Sequence, residues 1–307
     1  MEDLVGALCL VCGNITIDDL VFHDGRVRMG ILGGDGVYSA LGVSLWQKNV
    51  KISAVAGPDY PVESLAEMYG LDVSYVTYKD KPSLRNWGLY EKDGTRQFVF
   101  RNEKNQWAEY SPVPSDLPPG ILKGAFVHCA PMPWDKQIAL VRHARQCGAT
   151  FISLDPPFQF MEGMDKEKLG EGLGFVDAFL PSCQEVRALF PDLSPDEALE
   201  RLIREFPHLK AIVIKLGADG AIGYDRITGE EFSVPAYKAH VVDPTGAGDS
   251  FCGGFLAGYL KTANARMSAL RGVVSASFII ETEGTFGMNS IDTRAAEQRL
   301  QEVTTEY

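Results

Sequence analysis

The 307 residues carry 29 Lys and Arg against 41 Asp and Glu, a formal net charge of −12, and the absence of any cluster of five or more basic residues argues against a nucleic-acid surface. No apolar run reaches 18 residues and the N-terminus begins acidic, so we predict neither a membrane span nor an export signal. Apolar residues make up 45% of the chain and six cysteines are scattered along it, which favours a large core and a reduced cytoplasmic setting over a disulfide scaffold.

The chain opens with an apolar stretch, residues 7–12, that predicts a buried strand. Cys9 and Cys12 lie within it, and no second such pair completes a zinc or redox site, so we interpret them as strand thiols on opposite faces of a sheet. A glycine and several polar residues follow at 13–19. Such a loop after a strand suits ligand binding in an open α/β sheet, and it also suits a plain solvated turn.

A glycine-rich turn then leads into an apolar helix that runs to Trp46. The spacing Gly34-x-Gly36-x-x-Ser39, with Asp59 about 20 residues on, is near the dinucleotide fingerprint. The third position is Ser rather than Gly or Ala, so an NAD-type dehydrogenase stays only as an alternative.

Two hairpins are predicted in the next part of the chain. One turns at Asp24-Gly25 and the other at residues 91–94, between apolar runs at 87–90 and 96–100. Together they form either a small sheet set apart from the main layers or two ordinary edge hairpins. Arg101 follows the second hairpin and is a candidate contact for a charged substrate, although a solvated strand charge explains it equally.

Strands and helices alternate after a Pro-rich segment at 111–120. Strands are predicted at 126–129, 150–154, 178–180 and 211–216, and helices at 135–147, 183–190, 195–206 and 265–280. This rhythm predicts a parallel sheet with helices on both faces.

One stretch, residues 240–260, carries the strongest chemical signal. A short apolar run leads to a turn of Gly246, Ala247 and Gly248, then to Asp249 and an apolar helix. A helix that starts near Ala247 would offer free N–H groups and its positive dipole end to an anion. A carboxylate beside such a site suits proton abstraction from an attacking hydroxyl, and it is also an ordinary first-turn acid.

The run DPTGAGDSF, from Asp243 to Phe251, resembles the C-terminal signature of the ribokinase-type (PfkB) carbohydrate kinases. The resemblance implies a three-layer, doubly wound α/β fold with a mostly parallel sheet, in a single ribokinase-like domain over residues 1–307. It further implies a small β-sheet lid formed by about 14–30 and 83–103, a lid that commonly mediates homodimers in the family.

The resemblance also assigns roles to residues around the signature. Asp249 would be the catalytic base, and the amides of Gly246, Ala247 and Gly248 would form the anion hole for the transferred phosphoryl group of ATP. The run from Lys215 through Gly217 to Gly220 resembles the family's turn beside the ATP phosphates, and the loop around Gly284 corresponds to the adenine pocket.

On the substrate side, Asp18 matches an acid that hydrogen-bonds sugar hydroxyls, and Gly33 and Gly34 match glycines opposite the substrate. The family often has Asn where Tyr38 stands, so Asp35 could supply that contact instead.

Two cation sites are implied as well. Glu185 matches an acid near Mg²⁺, although the accompanying Asn is replaced by Ser182 and a first-turn Glu would also complement a helix dipole. Asp243 and Thr245 correspond to a site for a monovalent cation such as K⁺.

We therefore expect an ATP-dependent kinase that phosphorylates a hydroxyl of a small sugar or sugar-like alcohol. A nucleoside kinase of the same fold and a non-catalytic ligand-binding relative are the alternatives, besides the dehydrogenase.

Overall fold

A computed structural model describes residues 6–92, 96–103, 105–288 and 292–305. The strands are β1 Cys9–Cys12, β2 Thr16–Val21, β3 Val27–Gly33, β4 Val50–Ala56, β5 Asp72–Tyr78, β6 Leu84–Tyr90, β7 Arg96–Phe100, β8 Phe126–Cys129, β9 Phe151–Leu154, β10 Ala178–Phe179, β11 Ala211–Lys215, β12 Ala221–Asp225 and β13 Glu230–Val234. The helices are α1 Asp35–Ser44, α2 Val62–Tyr69, α3 Gln106–Glu109, α4 Pro119–Leu122, α5 Trp134–Gln146, α6 Phe158–Met161, α7 Lys166–Leu173, α8 Cys183–Leu189, α9 Pro195–Glu205, α10 Ala247–Thr262, α11 Ala265–Ile279 and α12 Thr293–Thr305.

The main sheet has the strand order β13-β12-β11-β10-β9-β8-β1-β4-β5. Strands β11 through β5 in that order are parallel, and β12 and β13 add an antiparallel edge. The chain runs outward from β1 in one direction through β4 and in the other through β8. Loops at the carboxyl ends of β1 and β8 therefore diverge and leave a crevice, the usual place for a ligand in an open α/β sheet.

Apolar side chains pack on both faces of this sheet. One layer includes Val37, Leu65, Phe255 and Val274 from α1, α2, α10 and α11, and the other includes Leu140 from α5. The predicted three-layer, doubly wound fold is confirmed. Cys9 belongs to the first layer and Cys12 to the second, and burial raises the pKa of both thiols to about 12, which keeps them protonated.

The predicted small sheet is also present, with the order β3-β2-β6-β7. Strand β2 pairs parallel with β6, and the two outer pairings are antiparallel. The sheet extends beyond the predicted first segment, because β3 continues to Gly33 and so joins α1 directly. Residues 93 and 94 of the predicted second turn lie outside the described residues.

Helices α1 and α10 cross at glycines. A Cβ added to Gly42 would lie 2.2 Å from the carbonyl oxygen of Ser250, and one added to Gly253 would lie 1.9 Å from that of Ser39. The two backbones are thus in direct contact, which side chains would prevent. The crossing brings the N-termini of both helices to the same crevice.

Strands β5 and β13 and helices α7 and α12 were not predicted, nor were the short helices α3, α4 and α6. Helix α12 shows why: its surface is mostly polar, and it buries only the narrow stripe of Ala296, Leu300 and Val303. The capping box of α9, in contrast, is a local signal, since Ser194 and Glu197 lie three residues apart and each accepts the other's backbone N–H. Among the described residues, no helix combines the length and apolarity needed to cross a bilayer.

Candidate active site

Helix α10 starts at a position that requires glycine. Gly246 has φ of 74°, in the left-handed region, and a Cβ added there would lie 2.2 Å from Cγ of Tyr38. The chain turns over the Tyr38 ring and enters the helix at Ala247. Because the first N–H groups of a helix have no intrahelical acceptors, this turn offers donors and the positive dipole end to an anion.

The first turn of α10 separates two cavities. Ala247 and Gly248 line one of about 450 Å³, which extends along α11 and which we call the α11 cavity. Gly246 and Asp249 line the other, of about 360 Å³, which lies beneath the small sheet and which we call the small-sheet cavity. The predicted anion hole and the predicted base therefore share one turn: Ala247 and Gly248 line one side of it, and Gly246 lines the other side together with Asp249.

The α11 cavity receives most of the residues predicted for the nucleotide. Lys215, Gly217 and Gly220 line it, together with residues 236–239 and 241 and apolar side chains such as Val273 and Ile280. Gly284 does not belong to this lining. Its N–H donates to Asp243 Oδ2 at 2.9 Å, so the prediction of an adenine pocket around Gly284 is not supported by the placement of that residue.

The small-sheet cavity collects the predicted substrate residues. Asp18, Gly34 and Asp35 line it, and Gly33 lies directly behind, since a Cβ there would be 2.6 Å from Asp18 Oδ2. Further lining residues were not predicted: Asn14, Thr16, Tyr38, Leu84, Asn86, Phe98, Phe100, Asn102, Trp107, Pro131 and Gln159.

Among the described residues that line this cavity, Arg101 is absent. Its guanidinium donates to Asp19 Oδ2 at 2.8 Å and lies over the ring of Trp87. The alternation of side chains explains the difference, because Phe98, Phe100 and Asn102 point to the cavity while the residue between the last two points away. The same alternation in the sequence could have predicted that Phe98 and Phe100 share one face of β7 and line the cavity together.

Asp18 is a buried carboxylate prepared for hydrogen bonding. Thr16 Oγ1 donates to Oδ2 at 3.0 Å and Asn86 Nδ2 donates to Oδ1 at 2.9 Å. Burial raises the pKa of Asp18 to about 6, against the lowering effect of these two donors. The group can accept further hydrogen bonds from a ligand in the cavity.

Asp35, in the first turn of α1, holds the loop after β1. Its Oδ1 accepts the N–H of Asn14 at 2.6 Å. Burial raises the pKa of Asp35 well above its usual range, and the negative charge of nearby Asp249 adds to the effect. Two first-turn carboxylates thus face one crevice, and their mutual repulsion favours a cationic or proton-donating ligand between them.

Asp243, predicted for a monovalent cation, is surrounded by protein donors. Its carboxylate accepts the Tyr90 hydroxyl at 2.7 Å, the Thr245 N–H at 2.9 Å and the Thr245 hydroxyl at 2.6 Å. With the N–H of Gly284, which donates to Oδ2, the carboxylate has four protein donors, three of them on Oδ1. Tyr90 comes from β6, so this contact also joins the small sheet to the loop before α10.

Glu185 caps its own helix. Its Oε2 accepts the N–H of Ser182 at 2.6 Å, and the Ser182 hydroxyl accepts the N–H of Gln184 at 3.1 Å. Ser182 therefore acts as the N-cap of α8. Among the described residues, no group of three or more His, Cys, Asp or Glu side chains is arranged to hold a metal by itself.

Asp59, the acid that the dinucleotide-binding alternative requires, has partners within the protein. Asp59 accepts the N–H of Ser83 at 2.7 Å and pairs with Arg85 at 2.9 Å, instead of facing a ligand. A Cβ on Gly34 would lie 2.5 Å from the carbonyl oxygen of Asn14, so this glycine serves the contact between α1 and the loop after β1.

Comparison with known proteins decides the family. The family described as pfkB family carbohydrate kinase matches residues 14–292. The chain belongs to this family. It is accordingly an ATP-dependent kinase, and the dehydrogenase alternative is wrong.

Individual relatives agree with this assignment. The chain is 29% identical to a cytidine kinase of Thermococcus kodakarensis over 85% of this chain and 90% of the relative. The structure of a nucleoside kinase of Methanocaldococcus jannaschii, a member of the ribokinase family, superposes with a TM-score of 0.74 at 22% identity, over 96% and 98% of the two chains. A putative ribokinase II of E. coli in complex with ATP and Mg²⁺ gives 0.75 at 20% identity, over 96% and 99%. The two structures show the shared fold.

Proposed function

We propose that this kinase transfers the terminal phosphoryl group of ATP from the α11 cavity to a hydroxyl of a small sugar-bearing substrate in the small-sheet cavity. The observation that carries the proposal is the shared wall: within one helical turn, Ala247 and Gly248 line the α11 cavity and Asp249 lines the small-sheet cavity. The reacting atoms would meet across that turn.

Each residue of the turn has a distinct part in the reaction. Asp249 orients the acceptor hydroxyl and accepts its proton, and a carboxylate suffices because phosphoryl transfer has a loose transition state. The amides of Gly246, Ala247 and Gly248 donate to the phosphoryl oxygens, where negative charge is spread in the transition state. The apolar walls of the α11 cavity hold the adenine.

The acceptor is held by side chains that suit hydroxyl groups. Asp18 accepts from them, Asp35 lies in the same lining at the start of α1, and the backbone of Gly33 and Gly34 lies beside these two carboxylates. The small sheet forms the roof of this cavity and acts as its lid. Exposed apolar side chains on the same sheet, including Met29 and Trp87, support a homodimer formed through it.

A nucleoside is the second candidate acceptor, and the aromatic wall favours it. Phe98, Phe100 and Trp107 line the small-sheet cavity, and flat aromatic faces suit stacking with a base. The cytidine kinase relative agrees with this alternative. A free sugar would make the same hydroxyl contacts, and only the apolar edge of the sugar ring would contact these aromatic side chains.

The residues present fit Mg²⁺ delivered with the nucleotide, because Ser182, which donates to Glu185, pairs with Lys215 at the α11 cavity. This ion is usually bound through one or two carboxylates and the substrate phosphates, so it needs no cage of protein ligands. Glu185 is the residue that would hold it, directly or through water. When bound, Mg²⁺ would neutralise charge on the ATP phosphates.

The residues do not fit K⁺ at the Asp243 carboxylate. Four protein donors already use its oxygens, and the Tyr90 hydroxyl is one of them. We therefore assign no step to a monovalent cation.

A coupled ADP-release assay with two panels tests the proposal. One panel holds ribose, fructose, inositol and sugar acids, and the other holds cytidine, adenosine and inosine. ADP release that depends on one acceptor and on Asp249 supports a kinase with this base. ATP binding without ADP release from any acceptor would instead identify a non-catalytic ligand-binding relative.

A further inference from the structure

A buried ion pair lies at the back of the anion hole. Asp155 follows β9 and Lys215 ends β11, and only β10 separates these parallel strands, so both side chains reach the same edge of the sheet. Lys215 Nζ is 2.5 Å from Asp155 Oδ2, and the two residues are 8% and 4% exposed. The pair is therefore almost completely withdrawn from solvent.

The first turns of α10 close over this pair. Cys252 Sγ lies 3.4 Å from Lys215 Nζ and 3.4 Å from Asp155 Oδ2. A Cβ added to Gly248 would lie 3.6 Å from the same Nζ. The ammonium group thus stands beside the backbone of the predicted anion hole, at the point where the α11 cavity begins.

A purely structural role does not explain the position of the pair. A buried ion pair contributes little net stability, because desolvation of both charges offsets their attraction. A lysine ammonium has three N–H donors; Asp155 and the weak acceptor Cys252 take two of them, so the third can be donated to a phosphate oxygen. Since the lysine stem is flexible, a fixed carboxylate is needed to keep the charge at one place.

We propose that Asp155 is a positioning residue that holds the Lys215 ammonium against the first turn of α10, where it binds the terminal phosphate of ATP. The inference rests on the proposed function and adds a side-chain charge to the backbone donors of the anion hole. Lys215 binds the phosphate, and Asp155 acts only through Lys215.

The chain provides a matched control for Asp155. Asp177 is also a buried carboxylate, paired with Arg145 and with Lys210, and it lies directly before β10. It lines neither of the two cavities. Asp177→Asn therefore removes the charge of a buried, ion-paired carboxylate without touching the site, although its cationic partners are more exposed than Lys215.

The experiment compares ATP and ADP affinity in the presence of Mg²⁺ by calorimetry, so no acceptor is needed. Asp155→Asn should weaken ATP binding about tenfold, as loss of a charge-assisted contact predicts, and should leave ADP binding unchanged. Lys215→Met should do the same to a larger extent. Asp177→Asn should change neither affinity, although it should lower the melting temperature, because it too removes a carboxylate from an ion pair.

A double-mutant cycle then tests whether Asp155 acts through Lys215. Asp155→Asn added to Lys215→Met should cause no further loss of ATP preference, and it should raise the melting temperature, because it removes a buried carboxylate without a partner. Additive losses of ATP affinity, or equal losses for ATP and ADP, would overturn the inference. Its failure is separate from failure of the proposed function, which depends on whether Asp249→Asn abolishes ADP release.

Discussion

The two cavities on either side of the first turn of α10 are built in different ways. The α11 cavity draws its lining from one short run, residues 215–220, from residues 236–239 and 241, from the start of α10 and from α11. The small-sheet cavity draws its lining from distant segments, including the loop after β1, the start of α1, strands β6 and β7, and the loop after β8. A nucleotide site can therefore be found from short motifs, whereas an acceptor site depends on how the sheets meet.

The cavities also differ in electrostatics. The α11 cavity is mainly apolar, with the cationic Lys215 at its inner end. The small-sheet cavity contains the carboxylates of Asp18, Asp35 and Asp249, two of which have pKa values raised by burial. One side is thus suited to an anion with an apolar ring, and the other to a neutral ligand rich in hydroxyl groups.

The largest expected effect is on kcat, from a substitution in the turn that separates the two cavities. Asp249→Asn should lower kcat by about 10²–10⁴, as loss of a general base predicts, with ATP affinity unchanged, as measured by ADP release and calorimetry. Asp135→Asn is the control, because Asp135 is an exposed acid in the first turn of α5 and lies outside both cavities. Wild-type turnover in Asp249→Asn would show that another group accepts the proton.

A smaller effect should be confined to the KM for the acceptor. Asp18→Asn should raise the acceptor KM about tenfold or more, through loss of charged hydrogen bonds. Asp19→Asn is the control, since Asp19 follows Asp18 on β2 but does not line the cavity. Its carboxylate accepts from Arg101 and from the N–H of Gly30 instead. Equal changes in KM from both variants would show a general effect on the small sheet.

The same residue predicts a pH dependence. The pKa of Asp18 is about 6 in the fold and about 3.9 in an unfolded chain. Ionised Asp18 binds hydroxyls better, so the acceptor KM should fall as pH rises through about 6, and Asp18→Asn should remove that step. Its contribution to stability has the opposite sign: it is fully present below about pH 4 and is lost as pH rises through about 6.

The nucleotide side can be tested separately by filling its cavity. Ala276 lines the α11 cavity, and Ala276→Phe should raise the KM for ATP about tenfold by steric exclusion, with the acceptor KM nearly unchanged. Phe100→Ala, on the other side, should raise only the acceptor KM, and more for nucleosides than for free sugars. Crossed effects, in which each variant changes both constants, would contradict the separation of the cavities.

The smallest effect concerns the contact between Tyr90 and Asp243. Wild-type activity should be the same in Na⁺ and K⁺ at equal ionic strength, because the Asp243 carboxylate is already satisfied. Tyr90→Phe removes one donor, so it should lower kcat a few-fold, as expected for the loss of one hydrogen bond. K⁺ should restore part of this lost activity in the variant. Activation of the wild-type enzyme by K⁺ would show that a cation site exists despite these donors.

Much of the fold could be predicted because its signals are local. Apolar runs of strand length, the helix cap at Ser194 and the Asp24-Gly25 turn each fall within a few residues, and the predicted elements that rest on them are present. Helix α12 and strand β5 were missed, since their burial depends on neighbours and not on a clear period of their own.

The sequence by itself determined the turn from Gly246 to Asp249 and the alternation of strands and helices, because backbone conformation and apolar period are properties of adjacent residues. Only the tertiary structure decided that Arg101 faces Asp19, that Gly284 binds Asp243, and that Asp155 meets Lys215 behind the anion hole. These contacts join residues 41 to 82 positions apart, and strand order and helix crossing, which no short segment encodes, bring them together.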